Sequence, residues 1–216
     1  MKKTIIFDWG GVILKEYPNH YCDQDAIKET IIKFNPNLKE DQAYELYLNT
    51  LRDENNNIIS IFDDYENKYK WYLRIKEKGN LTCTYDDFIN EFKNNYKKTD
   101  KYDEIVKYIY SLKDKAKLVL FSDLIFTCFG ALEKQINLDI FDEIFLSYKE
   151  GCTKSNIEAF INVENKLNVE EKDILFIDNN VNNINNAKKR GWNTCLAYGF
   201  ELEKIKNSVE DFLKEK

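Results

Sequence analysis

Three short stretches of the chain are apolar at successive positions and then stop on small polar side chains. They are TIIFD, ending at Asp8, KLVLFSD, reaching Ser122 and Asp123, and DILFIDNN, reaching Asp178 and Asn179. Unbroken apolar runs of this length fit strands covered on both faces, as in a parallel sheet, since a strand with one wet face alternates. Between the runs the period changes. Tyr102, Ile105, Val106 and Ile109 recur at helical spacing before the second run, and Ile157, Phe160, Ile161 and Leu167 before the third. The stretch SNIE, Ser155 to Glu158, reads as a capping box opening the latter helix. NNINNAKKRG predicts a helix closed by Gly191, EIFLS and NTCLAY predict two more strands, and SVEDFLKEK a last amphipathic helix on the sheet. Strands alternating with helices make an α/β fold with a Rossmann-like parallel sheet.

Residues 16 to 96 follow a different pattern. Ile27 and Ile31 mark one helix; Tyr44, Tyr47, Leu48 and Leu51 a second; Ile58, Ile61, Phe62, Tyr65, Tyr69 and Tyr72 a third; Phe88 and Phe92 a fourth. Aromatic stripes at this spacing are in the first place helix-packing core. The segment reads as an all-helical insertion, a cap domain over residues 16–96 inserted into a core domain of residues 1–15 and 97–216.

Composition narrows the partners. The chain of 216 residues is 43% hydrophobic and 32% charged, which is globular composition, and its net charge of −6 argues against nucleic acid or an anionic membrane surface. No apolar run approaches the roughly 20 residues that cross a bilayer, and the run after MKK is short for a signal peptide and broken by Asp8. Five scattered cysteines, with no CxxC pair, suit a reduced cytoplasmic protein and give no support to zinc. The abundant Asn and Lys residues are read as compositional bias without a function. Oligomeric state is not legible.

In open parallel sheets ligands bind beyond the carboxyl ends of the strands, so Asp8, Ser122 and Asp178 are expected to meet in one crevice. With these residues in this order, the whole chain resembles the haloacid dehalogenase superfamily, whose members are mostly phosphatases. FDWGGVIL resembles its first motif, a strand ending in an acid before a glycine turn. Ser122 in LVLFSD matches the second, Lys154 in GCTKSNIEAF the third, and LFIDNN part of the fourth. The resemblance implies that Asp8 is a nucleophile forming an aspartyl-phosphate and that Ser122 and Lys154 hold the phosphoryl group. It also implies that the turn at Gly10 and Gly11, with Asp123, lines the substrate site. It further implies Mg2+ held by Asp8, the Gly10 carbonyl, Asp178 and Asn179, and a small phosphorylated metabolite as substrate. A carboxylate nucleophile divides one hard displacement into two easier ones, and charge stabilisation dominates phosphoryl transfer.

Two positions depart from the family pattern. Gly10 stands where relatives commonly carry the acid that protonates the leaving oxygen and later activates water, although some relatives of the glucose-1-phosphatase kind look similar in carrying Gly there. Its absence favours leaving groups that need little protonation, such as sugar 1-phosphates, acyl phosphates and aryl phosphates. Asn179 replaces a second acid, which predicts weaker metal binding. His20, the single histidine, is a candidate substitute acid, and Tyr17, His20 and Tyr21 are candidate substrate contacts. Two alternatives stay open: a family member that binds a ligand without turnover, and a metal-independent dehalogenase. The dehalogenase branch usually carries an aromatic at position 10 and a serine pair near Asp178, and this chain has neither.

Overall fold

The computed structural model describes residues 2–16, 22–51, 65–96, 100–124 and 136–214. All the following statements concern those residues. Five parallel strands form one sheet: β1 (Thr4–Phe7), β2 (Lys117–Ser122), β3 (Glu143–Leu146), β4 (Ile174–Asp178) and β5 (Asn193–Leu196), in spatial order β3-β2-β1-β4-β5. The two runs ending in Asp8 and Asp178 are therefore neighbours in the centre, and every predicted strand is present.

Helices occupy the spaces between strands. Helix α1 is Cys22–Phe34, α2 Glu40–Thr50, α3 Tyr65–Lys78, α4 Tyr85–Tyr96 and α5 Asp103–Ser111. A single turn, α6 (Ser147–Glu150), is followed by α7 (Ile157–Leu167), α8 (Val181–Lys189) and α9 (Leu202–Lys214). One detail differs from expectation. The N-cap of α7 is Asn156, whose side-chain oxygen accepts from the Glu158 N–H at 3.0 Å, so no Ser155 capping box forms. Asn caps as well as Ser does, and the Ser155 hydroxyl instead pairs with that of Thr153 at 2.6 Å.

Both faces of the sheet are sealed, which explains its unbroken apolar runs. Ile5, Phe7, Leu118, Leu120, Leu175 and Ile177 share one hydrophobic cluster with Ile105 and Ile109 of α5 and with Ile205, Val209 and Phe212 of α9. The alternate residues Ile6, Val119, Phe121 and Phe176 join Phe160 and Val163 of α7, Ile184 of α8, and Trp192. Phe160 is the hub of the second cluster. Its ring centroid lies 5.4 Å from Phe121, 6.0 Å from Phe176 and 5.2 Å from Trp192, each edge to face, an arrangement that adds to the burial itself.

Helices α1 to α4 are inserted between β1 and the rest of the sheet. Helix α1 packs on α4 and α2, and α2 on α3; the predicted positions Ile58, Ile61 and Phe62 lie outside the described residues. The chain leaves and re-enters the core at adjacent points. Leu14 bridges Lys101 in antiparallel fashion, the Lys15 N–H donates to the Asp100 carbonyl at 2.8 Å, and the Tyr102 N–H donates to the Ile13 carbonyl at 2.9 Å.

Truncating the fully buried Phe160 to Ala should remove about 3–5 kcal/mol of stability, read as a lower urea midpoint with an unchanged denaturant slope.

Candidate active site

The parallel register sets the site. Phe7 pairs with Leu120 on one side and with Ile177 on the other, so the next residues, Asp8, Phe121 and Asp178, lie level at the carboxyl edge. The Asp8 N–H still donates to the Ile177 carbonyl at 2.9 Å, which continues the ladder to the nucleophile candidate itself. The third group arrives from the loop between α6 and α7. There the backbone of Lys154 is held on both sides. Its N–H donates to both oxygens of the Asp123 carboxylate, at 2.9 and 3.2 Å, and its carbonyl accepts from Asn186 Nδ2 at 3.0 Å.

So anchored, the Lys154 side chain points inward, and its Nζ donates to Asp8 Oδ1 at 2.6 Å, Asp178 Oδ2 at 2.8 Å and, more loosely, the Phe121 carbonyl at 3.4 Å. Lys154 is 1% exposed, Asp178 0% and Asp8 7%. Burial opposes the lysine's charge, yet Asp178, Asp8 and Asp123 outweigh it and keep the amine protonated far above ordinary pH. Burial pushes the Asp8 carboxyl well up from the usual range, Lys154 draws it back, and the repulsion of Asp178 adds to the rise. One ammonium thus serves two carboxyl groups in a nearly dry place.

The turn after Asp8 is tight. The Trp9 carbonyl accepts from both the Ile13 and Leu14 N–H groups at 2.9 Å. Gly11 has φ +73°, and a Cβ there would come within 2.2 Å of Asn179 Nδ2. The positive φ favours glycine at position 11, and any side chain there would have to displace the Asn179 amide. Gly10 differs: a Cβ on it would face the carboxylate of Glu16, at 3.1 and 3.3 Å from its two oxygens.

Of the residues expected in the site, Asp8, Asp123, Lys154 and Asp178 are joined by hydrogen bonds, and Asn179 lies against Gly11. Ser122 ends β2 at the same edge and is buried, but its hydroxyl makes no hydrogen bond to Asp8, Lys154 or Asp178. Tyr17, His20 and Tyr21 lie outside the described residues. The reading of asparagine as mere bias needs correction at three positions. Asn180 caps α8 and its N–H donates to Asp178 Oδ1 at 2.7 Å, Asn183 Nδ2 donates to Asp178 Oδ2 at 3.0 Å, and Asn186 holds Lys154. Their recurrence every three residues after a strand-end acid was the available signal, because i and i+3 share a helix face. Glu16 was also passed over.

The donor set suits a small hard cation. Among the described residues no cluster of three or more His, Cys, Asp or Glu could hold a metal. Magnesium, however, commonly takes one or two carboxylates and completes its octahedron with carbonyl, water and phosphate oxygens. Asp8 and Asp178, hydrogen-bonded to a common ammonium, fit that description, and Asn179 follows Asp178 at the same strand end.

Comparison with known proteins identifies the family. The haloacid dehalogenase-like hydrolase family matches residues 2–191. The chain therefore belongs to that family. Among solved structures, it resembles a predicted HAD-like family hydrolase from Porphyromonas gingivalis at a TM-score of 0.66 and 17% identity, over 100% of both chains. A HAD-family enzyme from Bacteroides thetaiotaomicron in complex with magnesium and inorganic phosphate gives a TM-score of 0.62 and 18% identity, over 90% of this chain and 93% of that one. The L-2-haloacid dehalogenase of Xanthobacter autotrophicus with covalently bound chloropropionic acid gives 0.61 and 14%, over 90% and 76%. No curated protein matches the sequence. Family and fold together define a HAD-like hydrolase.

Two substitutions probe the architecture of the site. Lys154→Ala leaves two buried carboxylates without their shared cation and should cost about 3–5 kcal/mol in urea unfolding at neutral pH. Gly11→Ala forces a strained φ and a clash with Asn179, and should lower stability by about 1 kcal/mol or more, visible as a reduced melting temperature.

Proposed function

We propose that this chain is a magnesium-dependent phosphatase acting on a small phosphorylated metabolite through an aspartyl-phosphate at Asp8. The observation that carries the reading is the Lys154 ammonium seated between the carboxylates of Asp8 and Asp178. An anionic nucleophile repels an anionic phosphoryl group, and a fixed cation beside the nucleophile offsets that repulsion without having to reorganise during the reaction. Asp8 attacks phosphorus, Ser122 donates its hydroxyl to a phosphoryl oxygen, and the amides of the Gly10–Gly11 turn approach the others. Bound magnesium, held by Asp8, the Gly10 carbonyl, Asp178 and Asn179, would neutralise charge on the transferring group. A similar structure holding magnesium and inorganic phosphate supports the same choice of ligand.

On this reading residues 1–15 and 97–216 are the catalytic core domain. Residues 16–96 are a cap whose helices shape access and select the substrate. The setting is cytoplasmic and the partner a small molecule, neither nucleic acid nor membrane; among the described residues no helix is long and apolar enough to cross a bilayer.

The purified protein should release phosphate from p-nitrophenyl phosphate only with magnesium present, and Asp8→Asn should reduce the rate to the uncatalysed blank. Calorimetric titration should show magnesium binding that Asp178→Ala abolishes. Halide release from a 2-haloacid without metal would replace this reading with a dehalogenase. Silence in both assays, with a phosphorylated ligand still raising the melting temperature, would replace it with a binding protein.

A further inference from the structure

Gly10 removes an acid from the turn, and the fold brings another one to the same place. We infer that Glu16 is the proton carrier of the reaction, standing in for the carboxyl group that position 10 lacks; the inference rests on the phosphatase reading above. A side chain on residue 10 would start with its Cβ 3.1 Å from one Glu16 oxygen and 3.3 Å from the other. A carboxylate built there would extend a further ~2.4 Å beyond that Cβ, by standard bond lengths of about 1.5 and 1.25 Å, into the volume that Glu16 already fills. A carboxylate on residue 10 and one on residue 16 would compete for this one space.

The backbone delivers Glu16 there rigidly. The Trp9 carbonyl closes the turn onto Ile13 and Leu14, Gly10 bridges Leu14, and the Tyr102 hydroxyl donates to the Glu16 carbonyl at 2.7 Å. Glu16 is 7% exposed, as Asp8 is, where most glutamates face water. The other acids at this edge position the lysine. Asp178 accepts from Lys154, Asn180 and Asn183, and both oxygens of Asp123 accept from the Lys154 N–H.

The proton balance is simple. As Asp8 bonds to phosphorus and the bond to the leaving oxygen breaks, that oxygen keeps the electron pair and takes the proton of the Glu16 carboxyl. The alcohol departs and Glu16 is left ionised. Glu16 then takes a proton from water as the water oxygen attacks phosphorus. The bond from phosphorus to Asp8 breaks, the Asp8 carboxylate is restored, and inorganic phosphate leaves with Glu16 protonated again. Gly10 alone would confine the enzyme to leaving groups that depart unprotonated. Glu16 extends it to ordinary alkyl phosphates, primary sugar phosphates among them.

The test compares two substrates, p-nitrophenyl phosphate and an alkyl phosphate such as glycerol 3-phosphate, in wild type, Glu16→Gln and the double variant Gly10→Asp/Glu16→Ala. Glu16→Gln should turn over the alkyl phosphate about 10²-fold or more slowly. With p-nitrophenyl phosphate, whose leaving group needs no proton, it should release one equivalent of nitrophenol per enzyme in a burst and then stall, because water attack is slowed. The double variant returns a carboxyl to the same volume and should recover alkyl-phosphate turnover to within about tenfold of wild type. Melting temperatures identify the folded variants, and the double variant decides the matter if Glu16→Gln does not fold. Glu16→Gln within threefold of wild type on glycerol 3-phosphate, or a uniform loss with no burst and no recovery in the folded double variant, overturns the inference and leaves the phosphatase reading standing. A wild type inactive on both substrates overturns both.

Discussion

An ammonium group almost shut off from water is stable only where negative charge is brought to it, and the position of Lys154 depends on that constraint. Two strands must present carboxylates at the same level, and a loop must deliver the lysine between them. Parallel pairing of β1 with β4 satisfies the first condition, since the residues after Phe7 and Ile177 are both aspartate. A one-residue slip of either strand would turn its acid toward the opposite face of the sheet and into the hydrophobic layer. The second condition is met by Asp123 and Asn186, which grip the lysine backbone from two different elements. The register of the sheet and the charge at its edge are thus one requirement seen from two sides.

Much of this was legible in the chain itself. Strands apolar on both faces announce their depth: the three unbroken apolar runs are the central strands β1, β2 and β4, and the two further predicted strands are β3 and β5. The acids at their ends were equally plain, because a buried run that stops on Asp has few reasons to do so except at an edge where ligands bind. What the pattern did not disclose is contact between residues of different periodicity. Asn183 and Asn186 belong to a helix rich in asparagine, so the two that turn toward Asp178 and the Lys154 backbone look like their neighbours until the helix is docked. Glu16 sits in a polar stretch where any acid would pass as solvated; only the folded turn shows it reaching back over Gly10. The cap of α7 was misplaced by one residue because Ser155 and Asn156 are both good caps, and local sequence does not choose between them.

Membership in a family with several chemistries fixes the scaffold and leaves the reaction to the side chains at its edge. Relatives with magnesium and phosphate and a relative with a covalently bound haloacid share this sheet at similar TM-scores. In this chain those groups include a second strand-end acid at Asp178, the Asn179 side chain near the glycine turn, and Gly10, on which a Cβ would face the Glu16 carboxylate.

The pairing of residues 13–15 with residues 100–102 has a consequence for the lineage as well as for the molecule. Because departure and return lie side by side and are zipped together by main-chain hydrogen bonds, the sheet experiences the helical segment as if it were a short hairpin. Its length and shape are then free to drift, or to be exchanged wholesale, without stretching the scaffold that holds Asp8. The inserted helices and the sheet edge can thus evolve on separate clocks within one polypeptide.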